Sequence, residues 1–384
     1  MKIKTIIYSI FSIVFICLLD GCNNSANSAV TCCVDTLYTP TYASGFNILK
    51  ADNDSSVIIE VYNPWQGADG VTERLYIDRS NGQLDIPDGM AKINGSARRV
   101  VVMSSTAVAM LDAFGCSQCI VGVSGLQFIS TPSVISRSQF IGDVGWEGNI
   151  DYETLLSLMP DVVIVYGVSG PSTMKQKLSE AGIPIFYLGD YLEQSPLGKA
   201  EWMVVLGEIV GCRESAEKCF AGIVPKYNEM KKRASEAAND NRPAVMLNTP
   251  YGDSWFLPGH GSYQVKLIED AGGEYIFSDA PADASTVAVD MEQAFSMTAR
   301  ADVWINISDF SGIDALRRSF PKMAETPVVQ RGLLFSNTAR TTAAGGNDYY
   351  ESGIVNPNLI LRDLVKIFHP DAVPEEFTYY RQLR

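Results

Sequence analysis

Two glutamates occupy the same position in two similar segments of the chain. Glu153 lies in "IDYETLLSLMPDVVIVYG", residues 150–167, and Glu292 lies in "VDMEQAFSMTARADVWINI", residues 289–307. Each segment reads Asp-x-Glu, then an apolar helix, a turn that ends in Asp, and a strand. A carboxylate in the first turn of a helix offsets the helix dipole by about 0.3–1 kcal/mol, and it can also accept paired hydrogen bonds from an arginine. Recurrence at one point of two units favours a shared role.

Histidine is scarce, because the chain has two, His260 and His369. A site for a bare zinc or manganese ion draws on several histidines together with carboxylates, so the sequence predicts no multi-histidine metal site. A metal that arrives in a chelate brings its own ligands. His260, in "PGHGSY", is either an axial ligand to such a chelate or a loop hydrogen-bonding residue, and His369 before Pro370 is expected at a helix C-terminus.

Motifs for catalysis are not indicated. The spacing Cys116-Ser-Gln-Cys119 allows a redox pair, but a local disulfide or two small buried residues explain it better. The chain has no G-x-S-x-G nucleophile elbow. The segment "AAGGN", Ala343–Asn347, lacks the spacing of a phosphate loop and is expected to form a flexible turn. We therefore expect a protein that is not an enzyme and that needs no cofactor of its own.

The N-terminus predicts export and lipidation. Lys2 and Lys4 precede the apolar stretch Ile6–Leu19, which is shorter than the about 20 residues of a membrane helix and is typical of a signal peptide. The sequence Leu19-Asp20-Gly21-Cys22 resembles the lipobox of bacterial lipoproteins, in which Cys22 is acylated, although Asp20 departs from that pattern. The alternative is an ordinary secretory signal. The expected location is the periplasm, with the membrane contacted through the lipid anchor only.

The net charge of −14 argues against nucleic acid as a partner, because such proteins carry a basic surface. The β-rich stretches "SSVIIEVYNPW" and "TERLYIDRS" precede a region of alternating strands and helices. Continuously apolar strands between helices are typical of parallel sheets covered on both faces. The fold class is therefore predicted as α/β, with two lobes of mostly parallel sheet, a long helix that joins them, and an N-terminal β-rich extension.

Six regions follow from this pattern, and ten elements are assigned within them. The regions are a signal peptide at 1–21, a tether at 22–44, the β-rich extension at 45–96, the N-terminal lobe at 97–196, the helical connector at 197–239 and the C-terminal lobe at 240–384. The assigned elements are strands 162–166, 184–188, 244–248, 303–307 and 328–334, and helices 151–158, 171–181, 262–271, 290–297 and 355–368. Pro225 should kink the connector helix or shift its start.

From Arg98 to the C-terminus the chain resembles a known family: the periplasmic substrate-binding proteins for vitamin B12, ferric siderophores and haem, which serve ABC importers. No one stretch carries the resemblance, but their order and spacing together do. The matching stretches are "RRVVVMSSTAVAMLDAFG", "IVGVSG", "DYETLLSLMPDVVIVYG", "GSYQVKLIEDAGGEYIF", "DMEQAFSMTARADVWINI" and "NDYYESGIVNPNLILRDL". The resemblance implies two lobes joined by a rigid helix. Residues 45–96 lie outside the common family pattern.

The resemblance also implies a partner, an ABC permease dimer of the inner membrane. In this family one surface glutamate on each lobe docks into arginine pockets on the two permease subunits. By their position in the motif, those glutamates are Glu153 and Glu292. Two docking sites, one on each lobe, match the two-fold symmetry of the dimer.

Ligand binding is expected in the cleft between the lobes, at loops that follow strands. Aromatic rings there would stack on a flat macrocycle or a catecholate, and arginines would pair with negative charge on the ligand. The candidate ligand-binding residues are Phe128, Trp146, Tyr166, Trp255, Phe256, Arg331, Arg340, Tyr349 and Tyr350. Glu351 is expected to serve an internal hydrogen bond or a cap.

The sequence therefore predicts a lipoprotein that captures a metal chelate and delivers it to a permease. A ferric siderophore is the first interpretation of the cargo, with cobalamin second and haem third. Two alternatives remain open: an exported capture protein that has no permease, and an exported enzyme that acts on a tetrapyrrole. A binding protein returns its ligand unchanged, whereas an enzyme turns it over.

Overall fold

The computed structural model describes residues 35–51, 55–80, 90–168, 170, 173–239, 241–308 and 310–384. The predicted signal peptide, Cys22 and most of the predicted tether lie outside these residues. Within the part of the chain that the structure describes, no helix is both long and apolar enough to cross a membrane. The predicted fold class is confirmed: two parallel sheets flanked by helices follow an N-terminal β-sheet.

The N-terminal sheet has five strands in sequence order, antiparallel except that the last is parallel to the fourth. They are β1 (Thr36–Tyr38), β2 (Phe46–Lys50), β3 (Val57–Tyr62), β4 (Thr72–Asp78) and β5 (Ala91–Asn94). In β3 the residues Val57, Ile59 and Val61 are buried and alternate with less buried neighbours, because successive strand residues point to opposite faces of a sheet.

This sheet begins earlier than the sequence predicts. The predicted tether covers residues 22–44, yet β1 lies within that range and pairs with β2. The backbone N–H groups of Tyr42 and Ala43 donate to the buried carboxylate of Glu201 at 2.7 Å each. The predicted end of the tether at residue 44 is therefore wrong. The Glu201 side chain, far along the chain, binds this polar segment, and local composition does not reveal such a contact.

The N-terminal lobe contains a five-stranded parallel sheet in the order β12-β11-β6-β7-β8, with a short antiparallel hairpin, β9-β10, beside it. Its strands are β6 (Val100–Val102), β7 (Ile120–Val123), β8 (Gly142–Asp143), β9 (Gly145–Trp146), β10 (Asn149–Ile150), β11 (Val162–Val165) and β12 (Ile185–Tyr187). Its helices are α1 (Ser105–Ala113), α2 (Pro132–Ile135), α3 (Tyr152–Ser157) and α4 (Thr173–Glu180). The chain order reverses between β6 and β11, which is the usual place for a ligand crevice in such sheets.

The connector consists of three helices, α5 (Pro196–Glu201), α6 (Met203–Ile209) and α7 (Arg213–Ala238). Helix α7 has 26 residues, which is about 39 Å at 1.5 Å per residue. Pro225 lies inside this continuous helix, so it neither ends the helix nor moves its start. One cluster of buried apolar side chains runs from the N-terminal sheet through the connector into the C-terminal lobe.

The C-terminal lobe has a parallel sheet in the order β15-β13-β17, a β14-β16 hairpin and a β18-β19 pair. Its strands are β13 (Ala244–Leu247), β14 (Ser254–Pro258), β15 (Glu274–Tyr275), β16 (Thr286–Asp290), β17 (Val303–Ile305), β18 (Phe335–Ser336) and β19 (Arg381–Gln382). Its helices are α8 (Tyr263–Asp270), α9 (Met291–Arg300), α10 (Ile313–Ser319), α11 (Pro327–Gln330), α12 (Ser352–Val355) and α13 (Pro357–Phe368).

One predicted strand is wrong. Residues 328–334 lie in helix α11 and the turn after it, and the strand starts at Phe335. Pro327 occupies the first helical position, where its fixed φ suits a helix start. Gly332 has a φ of 69°, a left-handed turn conformation that glycine adopts without strain. The β-branched residues favour a strand, but the flanking proline and glycine decide the local structure.

Candidate functional site

The two recurrent glutamates have equivalent surroundings. Glu153 lies two residues after Asp151, which caps α3 by accepting from the Thr154 N–H at 3.0 Å. Glu292 lies two residues after Asp290, which caps α9 in the same way. Hydrogen bonds from the Thr154 side chain and N–H lower the pKa of Asp151. Each capping carboxylate therefore fixes the start of a helix that exposes a glutamate in its first turn.

Both glutamates lie at the carboxyl edge of a parallel sheet. Helix α3 leads into β11 and α9 leads into β17, so the start of each helix is at the edge where the neighbouring parallel strands end. Both side chains are exposed. Neither carboxylate forms an ion pair with another described residue. Each is therefore available to a partner at the edge where α/β sheets bind ligands.

The two lobes meet through the segment 340–351 of the C-terminal lobe. The Thr342 hydroxyl donates to the Gln127 carbonyl at 3.1 Å, and the Thr106 hydroxyl donates to the Tyr350 carbonyl at 3.3 Å. Gly346 approaches the Phe128 carbonyl so closely that an added Cβ would lie 1.9 Å from its oxygen. The glycine-rich turn therefore packs directly against the N-terminal lobe, and only glycine fits there.

Glu351 strengthens the same contact. Its carboxylate is buried and accepts from the Thr131 N–H at 2.7 Å and from the Ser130 N–H at 2.9 Å. The Ser130 hydroxyl donates to Asp348 at 2.8 Å. Burial raises the pKa of Glu351, although the hydrogen bonds that Glu351 accepts from Thr131 and Ser130 oppose the shift. The internal hydrogen-bonding role expected for Glu351 is confirmed, and that role joins the two lobes.

Three of the candidate aromatic residues lie near strand ends of the N-terminal lobe and stay candidates. Phe128, Trp146 and Tyr166 are 41%, 60% and 37% exposed. Phe128 lies after β7, Trp146 is the last residue of β9, and Tyr166 directly follows β11. The ring of Tyr166 lies 4.4 Å from that of Tyr191, a residue that sequence reasoning missed. Tyr191 lies just beyond β12, so applying the same rule to that strand would have found it.

In the C-terminal lobe the prediction for Trp255 is wrong and Phe256 stays a candidate. Both residues lie in β14 rather than in a loop, so they point to opposite faces. Trp255 is fully buried, and its indole N–H donates to the Leu247 carbonyl at 2.8 Å. Phe256 is 44% exposed. Sequence reasoning missed this strand because β14 pairs with β16, about thirty residues further along the chain.

The two adjacent tyrosines, Tyr349 and Tyr350, also differ in exposure. Tyr349 is buried against the rings of Tyr379 and Tyr380, so its assignment to ligand binding is wrong. Tyr350 is 43% exposed, and its hydroxyl accepts from the Asn337 side-chain amide at 3.2 Å. Tyr350 stays a candidate because part of its ring is accessible.

Neither predicted arginine is free to bind an anion in the cleft. Arg331 contacts Asp302 at 3.7 Å and the Ala301 carbonyl at 3.3 Å. Asp302 directly precedes β17, so Arg331 lies at the amino edge of the sheet, away from the carboxyl edge, and its assignment is wrong. Arg340 forms an ion pair with Asp348 at 2.8 Å beside the contact between the lobes, so its charge is already matched.

The histidines and the Cys-x-x-Cys pair have local roles. His260 is exposed, with its ring centroid 6.3 Å from that of Tyr275. Nε2 of His369 lies 3.3 Å from the Gly272 carbonyl. Cys116 and Cys119 are buried thiols, and burial raises the pKa of each to about 12, which disfavours the thiolate that redox exchange requires. In the described part of the chain no three His, Cys, Asp or Glu residues cluster as metal ligands.

Tyr263 of the C-terminal lobe lies in the same region as Tyr191 of the N-terminal lobe. It starts α8, and the Lys199 ammonium lies 4.8 Å from its ring centre. Lys199 in turn pairs with the buried Asp190 at 3.3 Å. Burial raises the pKa of Asp190, although Lys199 opposes this. Burial also raises the pKa of Tyr263, as do neighbouring charges that include Tyr350 and Asp190. Tyrosines from both lobes therefore line one region.

Known proteins are similar to this chain in sequence or in fold. A family model described as a periplasmic binding protein matches residues 100–340. An uncharacterized lipoprotein of Methanocaldococcus jannaschii is 24% identical over 366 residues, which cover 88% of this chain and 84% of that protein. This relative is similar along most of both chains.

Three solved structures share the fold. A haem-binding protein from Pseudomonas aeruginosa has a TM-score of 0.58 at 18% identity and covers 75% of this chain and 98% of its own. A vitamin B12-binding protein from Vibrio cholerae has a TM-score of 0.52 at 16% identity, covering 73% and 99%. A siderophore-binding protein from Vibrio cholerae, with ferric Desferal bound, has a TM-score of 0.53 at 19% identity, covering 71% and 100%.

Proposed function

This chain belongs to the periplasmic binding protein family, and we propose that it captures a ferric siderophore between its two lobes and delivers it to an ABC permease. Family and fold are those of solute-binding proteins, which are not enzymes. The alternative of an exported tetrapyrrole enzyme is therefore dropped. Cobalamin and haem remain the second and third candidate cargoes, because the solved relatives bind haem, vitamin B12 and ferric Desferal.

The observation that carries the delivery step is the equivalent placement of Glu153 and Glu292. One exposed carboxylate per lobe, each two residues after an aspartate cap, suits a permease dimer that offers the same basic pocket twice. A carboxylate and an arginine form paired, charge-assisted hydrogen bonds of defined direction. Two such contacts would orient the lobes on the permease.

Delivery is tested by cargo uptake through the cognate importer, with Glu153→Ala and Glu292→Ala combined. The control combines Glu180→Ala and Glu274→Ala, exposed acids at other positions of the two lobes. We expect the double variant at Glu153 and Glu292 to lose most uptake and the control double variant to keep it. Both proteins should bind cargo equally. Full importer-dependent uptake with both docking glutamates replaced would overturn their assignment to permease docking.

Capture is tested by fluorescence titration of the purified full chain with ferric siderophores, cyanocobalamin and haemin, corrected for ligand absorbance. The metal belongs to the cargo, so the protein itself is proposed to need no cofactor. Saturable quenching by one class, weakened at least about tenfold in Tyr166→Ala, is the expected result. Asn94→Ala, an exposed change at the end of β5, serves as the control. No saturable response from a folded protein would overturn the proposal.

Membrane attachment through acylated Cys22 completes the proposal. The relative from Methanocaldococcus jannaschii carries the name lipoprotein, and the family is periplasmic. Replacing Cys22 by alanine should move the exported protein from the membrane fraction to the released fraction. Retention of Cys22→Ala in the membrane fraction would contradict anchoring at this residue.

A further inference from the structure

The N-terminal sheet extends a loop that contacts both lobes. This loop joins β3 to β4, and at its tip the Gln66 N–H donates to the Tyr191 hydroxyl of the N-terminal lobe at 3.0 Å. The Gln66 side-chain amide donates to the Ser285 hydroxyl of the C-terminal lobe at 2.7 Å. A single residue from outside the common family pattern therefore bridges the two lobes.

The loop is held firmly in this position. Asn63 and Val71 close its base, with the Asn63 N–H donating to the Val71 carbonyl at 2.7 Å. The indole of Trp65 packs edge-on against Tyr187, with ring centres 5.4 Å apart. An added Cβ at Gly170 would lie 3.3 Å from the indole nitrogen. The loop is therefore packed against the N-terminal lobe on one side while Gln66 reaches the other lobe.

The loop forms one wall of a cavity of about 720 Å³, which also lies against the segment after β12 and the start of α8. This volume is within the about 300–1,000 Å³ of typical small-molecule sites. The three walls come from the N-terminal sheet, the N-terminal lobe and the C-terminal lobe. Each wall supplies an aromatic ring, from Trp65, Tyr191 and Tyr263 respectively.

The lining has a definite charge character. Beside the aromatic rings it presents hydroxyl and amide groups, and its two charged side chains are the carboxylates of Glu193 and Asp283. Among the described residues that line this cavity there is no lysine or arginine. A buried anion is stabilised by a cation close to it, whereas two carboxylates repel it, so this cavity disfavours a chelate with net negative charge.

Two cations, one in the connector and one in the C-terminal lobe, are already matched. The Lys199 ammonium is buried, donates to the Asp190 carbonyl at 3.0 Å and pairs with the Asp190 carboxylate. Arg340 pairs with Asp348 and lines a different cavity. The second carboxylate oxygen of Asp190 is buried with no hydrogen-bond partner among the described residues. These two ion pairs are each neutral, so the charge of the lining is that of the Glu193 and Asp283 carboxylates, which favours a cargo that offers donors or positive charge.

We propose that the cargo is a metal chelate without net negative charge, of the ferric hydroxamate or corrinoid type, and that the loop carrying Trp65 and Gln66 forms the third wall of its site. This proposal rests on the proposed function and narrows it to a chemical class. The amide and hydroxyl lining matches the carbonyl and amide edges of such chelates. The aromatic rings cover their apolar faces.

The test is a titration of the full chain with four probes: ferrioxamine B, which is a cationic ferric trihydroxamate, neutral cyanocobalamin, anionic haemin and a trianionic ferric tricatecholate. We expect one of the first two probes to bind at least about tenfold more tightly than either anionic probe. Gln66→Ala should weaken that probe several-fold, and Trp65→Ala should weaken it further. Asn94→Ala, in the same sheet but outside the cavity, should bind like the parent.

The outcomes distinguish a failure of this inference from a failure of the proposed function. Tighter binding of an anionic probe, or unchanged affinity in Gln66→Ala and Trp65→Ala, overturns this inference and leaves the proposed function standing. No binding of any probe by the folded chain overturns the proposed function, and this inference falls with it. Gln66→Ala keeps the backbone hydrogen bond to Tyr191, so its effect reports the side chain rather than misfolding of the loop.

Discussion

Glu201 should be among the residues on which attachment of the N-terminal sheet depends most strongly. Its carboxylate is fully buried on helix α5 and accepts four hydrogen bonds. Oε1 accepts from the Tyr38 hydroxyl and the Thr41 N–H at 2.8 Å each, and Oε2 accepts from the Tyr42 and Ala43 N–H groups at 2.7 Å each. The change Glu201→Gln preserves the size of the side chain and replaces one acceptor oxygen by an NH₂ group.

In one orientation the new NH₂ group leaves the Tyr42 and Ala43 N–H groups without an acceptor. In the other it leaves the Thr41 N–H without one, because the Tyr38 hydroxyl can turn to accept from the NH₂ group. An unsatisfied buried donor costs about 1–3 kcal/mol, and the less costly orientation leaves one, so we expect the free energy of unfolding to fall by about 1–3 kcal/mol. The assay is urea denaturation of the full chain, combined with hydrogen exchange of the peptide that covers 36–45. We expect faster exchange in that peptide, because the loss acts first on the segment that Glu201 holds.

The matched control is Glu214→Gln, an exposed acid in the first turn of α7. It removes the same charge from the connector without removing a buried acceptor, and it should change stability by no more than about 0.5 kcal/mol. If Glu201→Gln were as stable as this control and the 36–45 peptide exchanged at the parental rate, the account of how the sheet is attached would be refuted.

Three further changes test the packing and titration of other residues. Trp255→Ala should cost about 3–5 kcal/mol in urea denaturation as a buried aromatic, whereas Phe256→Ala, exposed on the same strand, should cost less than about 1 kcal/mol; equal costs would contradict the strand assignment. Gly346→Ala should destabilise the chain by about 1–3 kcal/mol, because its Cβ would overlap the Phe128 carbonyl; parental stability would contradict that contact. Burial lowers the pKa of His369 below 6.5, so its contribution to stability is present above pH 6.5 and is lost as the pH falls through the lower folded-state pKa. His369→Gln should therefore flatten that part of the stability profile, and an unchanged slope would exclude this histidine as its cause.

Features set by local sequence could be predicted well. The caps Asp151 and Asp290, the helices they start and the buried strands β11 and β13 all follow from side chains within a few residues of each other. The placement of Glu153 on one lobe therefore follows from its neighbours in the chain. The same reasoning locates Glu292 on the other lobe.

Features set by distant pairing could not be predicted. Trp255 is buried because β14 pairs with β16, and the apolar residues around it give the same signal in a loop as in a short strand. The charge of Arg331 suits an anion in the cleft, but position in the chain does not reveal which edge of the sheet this residue lies at. The contact of Gln66 with Ser285 joins residues 219 positions apart, and no local pattern encodes such a contact.

The central claim is that a chelate binds between the two lobes, and hydrogen exchange tests it most directly. The full chain is compared with and without a saturating amount of the tightest-binding probe from the chelate panel. The account predicts that the probe slows exchange in segments of both lobes, at 189–194 and at 261–264, and in the loop 63–70. Protection confined to one lobe, or protection at a surface away from these segments, would contradict it.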